Sequence, residues 1–229
     1  APPPGGETLE IAPGVHWLRM PLPFALDHIN LWALEDDDGW TLIDCGIGDD
    51  ATRALWEGIF SGRIAGRPVK RVIVTHHHPD HAGLALWLTE RTGAEFWMPQ
   101  AEYFAAHAAR EGAAGFDFDN VIAMFRRNGL AGEKLELLQQ RRSNYRSRVP
   151  GFPSSYRRLM EGQEHRIGGR SWRIVMGYGH APEHAALYCE EFGVLISGDM
   201  VLPRISTNAS VWANEPEGNP LALFLDSLS

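Results

Sequence analysis

An α/β fold of packed sheets and helices is what this sequence predicts, on three observations. Runs rich in β-branched residues alternate with helical stretches in the order strand, strand, helix, strand, helix over the first hundred residues. A second round of strands follows residue 170. Each round contains a strand that runs into a histidine-rich loop, His76-His77-His78-Pro79-Asp80-His81 in the first and His180-Ala181-Pro182-Glu183-His184 in the second.

The Pro-rich opening reads as a tail, after which residues 15–20 and 29–34 alternate apolar and polar positions as strands do. Asp36-Asp37-Asp38-Gly39 is a turn signal that joins the second of these to residues 40–44 as a hairpin. Asp49 or Asp50 can cap a helix through Phe60, with Ala51, Ala54, Leu55 and Ile59 on its apolar face. Residues 69–74 read as a buried strand that delivers Thr75 to the end of a sheet, and the residues from His81 as a helix running to Gly93. A short strand at 95–98 and a helix begun by Pro99 come next.

Residues 100–163 read as mostly helical and polar, with one helix at 121–128 ended by Gly129 and another from about Glu133. That is longer than a connection requires, so the span is expected to be an inserted helical cap bordering the active site. A strand at 172–176 and a hairpin of 185–189 with 194–197 follow, turning at Glu190-Glu191-Phe192-Gly193. Asn219-Pro220 opens a last helix, with Leu221, Phe224, Leu225 and Leu228 at helical spacing.

With 229 residues and 44% hydrophobic content, the chain can bury a substantial core in one domain spanning 1–229. A formal charge of −8 excludes a general attraction to nucleic acid or anionic membranes. No apolar run approaches membrane-spanning length, and the opening lacks the basic and hydrophobic regions of a secretory signal. Cys45 and Cys189 sit in apolar strand contexts, which suits buried thiols in a reducing compartment; a cytoplasmic location is therefore expected.

The loop at 76–81 carries the chemistry. Three imidazoles and a carboxylate, at positions 76, 78, 80 and 81, can converge from a strand-to-helix junction whose irregular backbone lets His76 and His78 point together. Asp80 and His81 then turn to a neighbouring point, a spacing that suits two adjacent metals. Imidazole and carboxylate favour Zn, with Fe, Mn or Ni as alternatives.

His-x-His-x-Asp-His after a hydrophobic strand and Thr75 resembles the signature of the metallo-β-lactamase-fold superfamily. Thr41-Leu42-Ile43-Asp44-Cys45-Gly46 resembles that family's early strand, Gly179 to His184 its second metal loop, and Ile196-Ser197-Gly198-Asp199 the segment whose aspartate bridges both metals. The four segments fall in family order and cover roughly residues 10 to 205. The resemblance implies an αββα sandwich with the helical insertion, His76, His78 and His180 around one Zn, Asp80 and His81 at a second, and Asp199 shared. It also implies that Asp44 accepts a hydrogen bond from a ligand histidine and fixes its tautomer, that His77 faces away, and that His184 supports its loop. The family normally completes the second site with a later histidine, and none follows His184. A chain that stops before its natural C-terminus is the expectation; a weakened or mononuclear second site is the alternative.

A metal-bound hydroxide is then the expected nucleophile, with Asp80 and Asp199 as catalytic groups that orient the water and handle its proton. Hydrolysis of a small acyl substrate follows, a thioester such as a glutathione or coenzyme A conjugate first, as in the glyoxalase II-like branch. Arg141, Arg142, Arg146, Arg148, Arg157 and Arg158 fall in a stretch without acidic residues and read either as a solvated, flexible helix end with ordinary salt partners or as an anion site for such a small molecule. An RNA-processing nuclease is the second reading, favoured by that run and opposed by the acidic balance; a metal-binding protein without catalysis is the third. His16, His107 and His165 read as ordinary surface or interface residues, and His28 as a residue able to reach the site mouth.

Overall fold

In a computed structural model that describes residues 2–24, 26–140 and 145–229, two β-sheets pack face to face. The larger runs β1 (Thr8–Ala12), β2 (Val15–Pro21), β3 (His28–Asp36), β4 (Gly39–Ile43), β5 (Val69–Ile73), β6 (Glu95–Pro99) and β7 (Arg157–Leu159) in that spatial order. It is antiparallel up to β4 and parallel from β4 to β7. The smaller sheet is an antiparallel meander of β8 (Glu164–Ile167), β9 (Arg170–Gly177), β10 (His184–Cys189) and β11 (Val194–Ile196).

The pleat explains the layering. Along β4 and β5, Leu42 and Val72 point to one side and Ile43 and Ile73 to the other, and all four are fully buried. Both strands are covered on both faces at their carboxyl ends, where Leu42-Ile43 and Val72-Ile73 form adjacent apolar pairs. Ile43 and Ile73 meet Trp172, Ile174 and Leu187 of the smaller sheet. Leu42 and Val72 meet the helical layer, which includes α1 (Asp50–Ser61), α2 (Pro79–Ala82), α3 (Ala85–Thr92) and α4 (Gln100–Glu111). α5 (Phe118–Arg127), α6 (Gly132–Gln140) and α7 (Tyr145–Arg148) continue from α4, and α8 (Pro220–Asp226) sits by the second histidine loop.

Both expected hairpins form, with Asp37 (φ 54°) and Gly193 (φ 60°) taking the left-handed conformation their turns need. Asp49 and Asn219 cap α1 and α8 through bonds from Thr52 N (2.8 Å) and Ala222 N (3.0 Å).

Several expectations are corrected. α1 buries Thr52, Trp56 and Ile59, while Ala51 and Ala54 face solvent; Trp56 sets the phase by donating Nε1 to Cys45 O at 2.9 Å inside the core. The helix read from His81 to Gly93 is broken in two. Gly83 packs so tightly on Gly46 and Gly48 that a Cβ there would strike their backbones, and Leu84 leaves helical geometry (φ −103°, ψ 18°). β1 lies in the stretch read as a tail, because Leu9 and Ile11 on this edge strand point outward. The span read as a helical cap ends in a strand, β7, in which only Leu159 is buried. His16 is a core residue, 1% exposed and edge-on to Trp40 at 5.4 Å; His107 and His165 are half-buried against Tyr103 and Trp97.

One buried ion pair fastens the two sheets. Asp36 accepts from Thr41 Oγ1 (2.8 Å), Arg71 Nη2 (2.5 Å) and Gly168 N (3.3 Å), and Arg71 also donates to Arg166 O at 2.8 Å. Burial pushes the Asp36 carboxyl up, but the bonds from Arg71 and Thr41 outweigh it and hold it below the ordinary carboxylate range. We expect Asp36→Ala to cost about 1.5–3 kcal/mol at pH 7, because it removes the carboxylate partner of the partly buried Arg71 guanidinium, measured as a lowered urea midpoint. A folded-state pKa below the unfolded value of about 3.9 makes the stabilisation complete above that pH and lost as pH falls through the folded value. The gap between wild type and variant should therefore narrow from pH 5 to pH 3; a constant gap would show that the charge of Asp36 contributes nothing.

Candidate metal centre

The carboxyl ends of parallel strands β4 and β5 lie side by side, and the smaller sheet is joined to them by a bond from Ala185 N to Thr75 O at 3.0 Å. That bond brings the loop after β9 against the loop after β5, so both histidine motifs open at one sheet edge.

Two clusters result. His76, His78, His180 and Asp199 form the first, and Asp80, His81 and Asp199 the second; within each, the nearest donor atoms lie within 4.8 Å of one another. His76 Nε2 is 3.0 Å from His78 Nδ1 and 3.2 Å from His180 Nε2. Asp199 offers Oδ2 to the first cluster, 3.6 Å from His180 Nε2, and Oδ1 to the second, 3.3 Å from His81 Nε2. Asp80 Oδ2 lies 3.8 Å from His81 Nε2.

The opposite ring nitrogens are occupied, and this sets the tautomers. His81 Nδ1 donates to Asp44 Oδ2 at 2.8 Å. Thr75 Oγ1 donates to Asp44 and lies 3.0 Å from His76 Nδ1, whose proton it can accept. His180 Nδ1 faces Asn208 O and Thr207 Oγ1, each at 3.0 Å. The Nε2 lone pairs of His76, His81 and His180 are thereby directed inward.

The donor set fits a divalent cation. Lone-pair nitrogens at 3.0–3.2 Å repel each other in pairs, yet metal–nitrogen bonds of about 2.0–2.1 Å at tetrahedral angles place such atoms only about 3.3 Å apart. Burial, reinforced by the neighbouring imidazoles, holds His76 and His78 well below the usual histidine range and also lowers His180, so all three are neutral as ligands must be. His81 goes the other way: burial alone would lower it, but Asp44, Asp199 and Asp80 raise it well above. Its Nε2 is buried without a hydrogen-bond partner, in a field that favours positive charge. Asp199 is pulled down strongly, with burial overcome by His81 and His180.

The remaining candidates take supporting places. His184 Nε2 accepts from Asp199 N at 3.1 Å, and burial pushes its pKa to about 4. His77 turns away from the clusters, and its Nδ1 meets Glu102 Oε2 at 2.6 Å. His28 lines the cavity beside the second cluster. Arg141 and Arg142 lie outside the described residues. Arg157 binds Glu95 (2.9 Å), Arg158 approaches Glu183 (4.0 Å), Arg146 approaches Glu111 (3.9 Å), and Arg148 covers Phe24. These four therefore do not converge on one anion site.

Glu102 was missed. This fully buried carboxylate accepts from His77 N (2.9 Å) and His77 Nδ1 through Oε2, and from Glu183 N (2.6 Å) through Oε1. One side chain thus holds both histidine loops, while Tyr145 OH donates to His77 O. In sequence, an acid in the first turn of a helix reads as an ordinary partner of the helix dipole; only its apolar neighbours hint at burial.

The family model described as "Metallo-beta-lactamase superfamily" matches residues 25–227. "Probable metallo-hydrolase YqjP" of Bacillus subtilis is 28% identical over 201 residues, which are 83% of this chain and 58% of that protein. A "Hydroxyacylglutathione hydrolase" of Pseudomonas entomophila is 34% identical over 100 residues, 41% of this chain and 37% of that one. The chain thus spans less than two thirds of these curated relatives. Among solved structures, a "Beta-lactamase domain protein" from Burkholderia ambifaria is 51% identical with a TM-score of 0.87, covering 100% of this chain and 67% of its own. A "metallo-beta-lactamase family protein" from Thermus thermophilus is 33% identical with a TM-score of 0.79, covering 96% and 69%.

Asp44→Ala removes the acceptor that fixes His81 and Thr75, and should weaken metal affinity about 10- to 100-fold. Competition against a chromophoric chelator checks this; an unchanged affinity would show that the Asp44 bonds do not orient the ligands.

Proposed function

The chain belongs to the metallo-beta-lactamase superfamily, and from that premise we propose that it is a metal-dependent hydrolase of small acyl compounds that uses two divalent ions, Zn first. The observation that carries the reading is the Asp199 carboxylate, with one oxygen toward each cluster, beside an open cavity. His76, His78 and His180 would hold one ion, Asp80 and His81 the other, with Asp199 between them. Divalent cations held there supply Lewis acidity, acidifying water and polarising a carbonyl.

The protein's own groups do the rest. Asp80 and Asp199 orient the attacking water and take its proton. The new C–O bond forms as the C–S bond of a thioester breaks, and the thiol leaves with a proton. The ionised state of Asp199 and the Asp44–His81 bond fix these groups before substrate arrives. Partial similarity to the hydroxyacylglutathione hydrolases supports a thioester as the substrate. The charge of −8 and the scattering of the described arginines weigh against RNA. Two buried, unpaired cysteines support a reducing compartment, the cytoplasm first.

Metal content by elemental mass spectrometry on protein purified without chelator should approach two equivalents and fall in His78→Ala and Asp80→Ala. On the zinc-loaded protein, Asp80→Asn should lower thioester kcat about 10²- to 10⁴-fold. Failure of the loaded wild-type protein to turn over any member of a broad thioester panel would sink the thioester reading.

A further inference from the structure

Asp80, His81 and Asp199 contribute to the lining of a cavity of about 730 Å³, within the range of about 300–1,000 Å³ usual for small-molecule sites. Its other walls are mostly hydrocarbon. Trp17 and Trp32 face each other across β2 and β3 as a register pair, and Trp17 Nε1 is already committed to Asn30 Oδ1 at 2.8 Å. In the same lining, Leu195 on β11 and Val201 and Ile205 on the following loop are 46%, 52% and 51% exposed. Side chains of this size cost free energy in water, and here they line the cavity that also holds Asp80, His81 and Asp199.

Two cations share the cavity. Arg19 lies on β2 with its Nε buried and without a hydrogen-bond partner, and Arg204 is exposed on the 201–205 loop. Among the described residues neither forms a salt bridge. Asp27, whose carboxylate feels the Arg19 charge, is bonded instead to His28 at 2.5 Å. Two guanidiniums that line one apolar cavity without a salt-bridge partner among the described residues suit an anionic group on a largely apolar molecule.

We propose, resting on the hydrolase reading above, that this groove selects acyl substrates with a long apolar chain, laid between the Trp17–Trp32 pair and the Leu195, Val201 and Ile205 strip, and with an anionic group bound by Arg19 and Arg204. A short, hydroxylated acyl group would leave the apolar walls wet. A chain of several methylenes removes them from water, and each methylene should contribute about three- to fourfold in kcat/KM.

The test uses the zinc-loaded protein with thioesters from acetyl to decanoyl on two carriers, anionic coenzyme A and neutral N-acetylcysteamine. Expected are a steep rise of kcat/KM with chain length and a preference for coenzyme A that shrinks at least tenfold when Arg19→Gln and Arg204→Gln are combined. Val201→Asp and Ile205→Asp, at exposed positions that the fold tolerates, should flatten the slope. Binding of the inert thioether S-decyl coenzyme A against S-ethyl coenzyme A, followed by tryptophan fluorescence, gives a readout independent of turnover. Turnover with a flat chain-length profile, or equal affinity for the two thioethers, would overturn the groove assignment. Strong preference for S-decyl coenzyme A with no turnover of any thioester would uphold the groove and overturn the hydrolase reading instead.

Discussion

Everything at this site depends on one requirement: several imidazoles must turn their lone pairs toward a common point while buried. Left alone, such rings would rotate or take up protons to escape one another. The carboxylate of Asp44 prevents this by accepting from Thr75 N, Thr75 Oγ1 and His81 Nδ1 at 2.8–3.0 Å. Asp44 itself takes φ 63°, a conformation that L side chains enter only when the surroundings compensate. Three donors to one buried carboxylate supply that compensation. The strain at the end of β4 and the orientation of the ligand loop after β5 are therefore two aspects of one interaction.

Glu102 applies the same logic on the other side of the loops. Burial penalises its charge, yet the bonds from His77 and Glu183 N keep its pKa lowered. Ala101 N donates to Glu183 Oε2 at 2.9 Å, so α4 and the second histidine loop grip each other in both directions. Because one loop comes from each sheet, the carboxylate does for the site what Asp36 does for the framework. Removal of its charge would release both loops together, a coupling that pairwise contacts within either loop cannot provide.

The clusters were legible because their signal is local. Six positions of the first loop hold four of the side chains that converge, and the strand before them is rich in β-branched residues. What escaped depends on contacts distant in sequence. The phase of α1 is set by Trp56 reaching the backbone of Cys45, and the break after Gly83 by its backbone contact with Gly46 and Gly48. Glu102 lies 25 residues from His77 and 81 from Glu183. β7 is three residues long with one buried side chain, too little for any periodicity to declare itself. The arginine run shows the same limit: proximity in sequence says little when Arg146, Arg157 and Arg158 each meet a different carboxylate and Arg148 lies over Phe24.

Charge around the centre follows a consistent division. Asp44, Asp80, Asp199 and Glu102 gather at the sheet edge, where they favour cations and hold histidines in place. An anionic substrate meeting only those carboxylates would be repelled before it reached the clusters. Arg19 and Arg204 line the same cavity as Asp80, His81 and Asp199, so attraction for an anion comes from residues other than those that would hold the metals. A substrate whose scissile carbonyl reaches the clusters, with its apolar chain and its anionic group both held in the cavity, is what this arrangement accommodates.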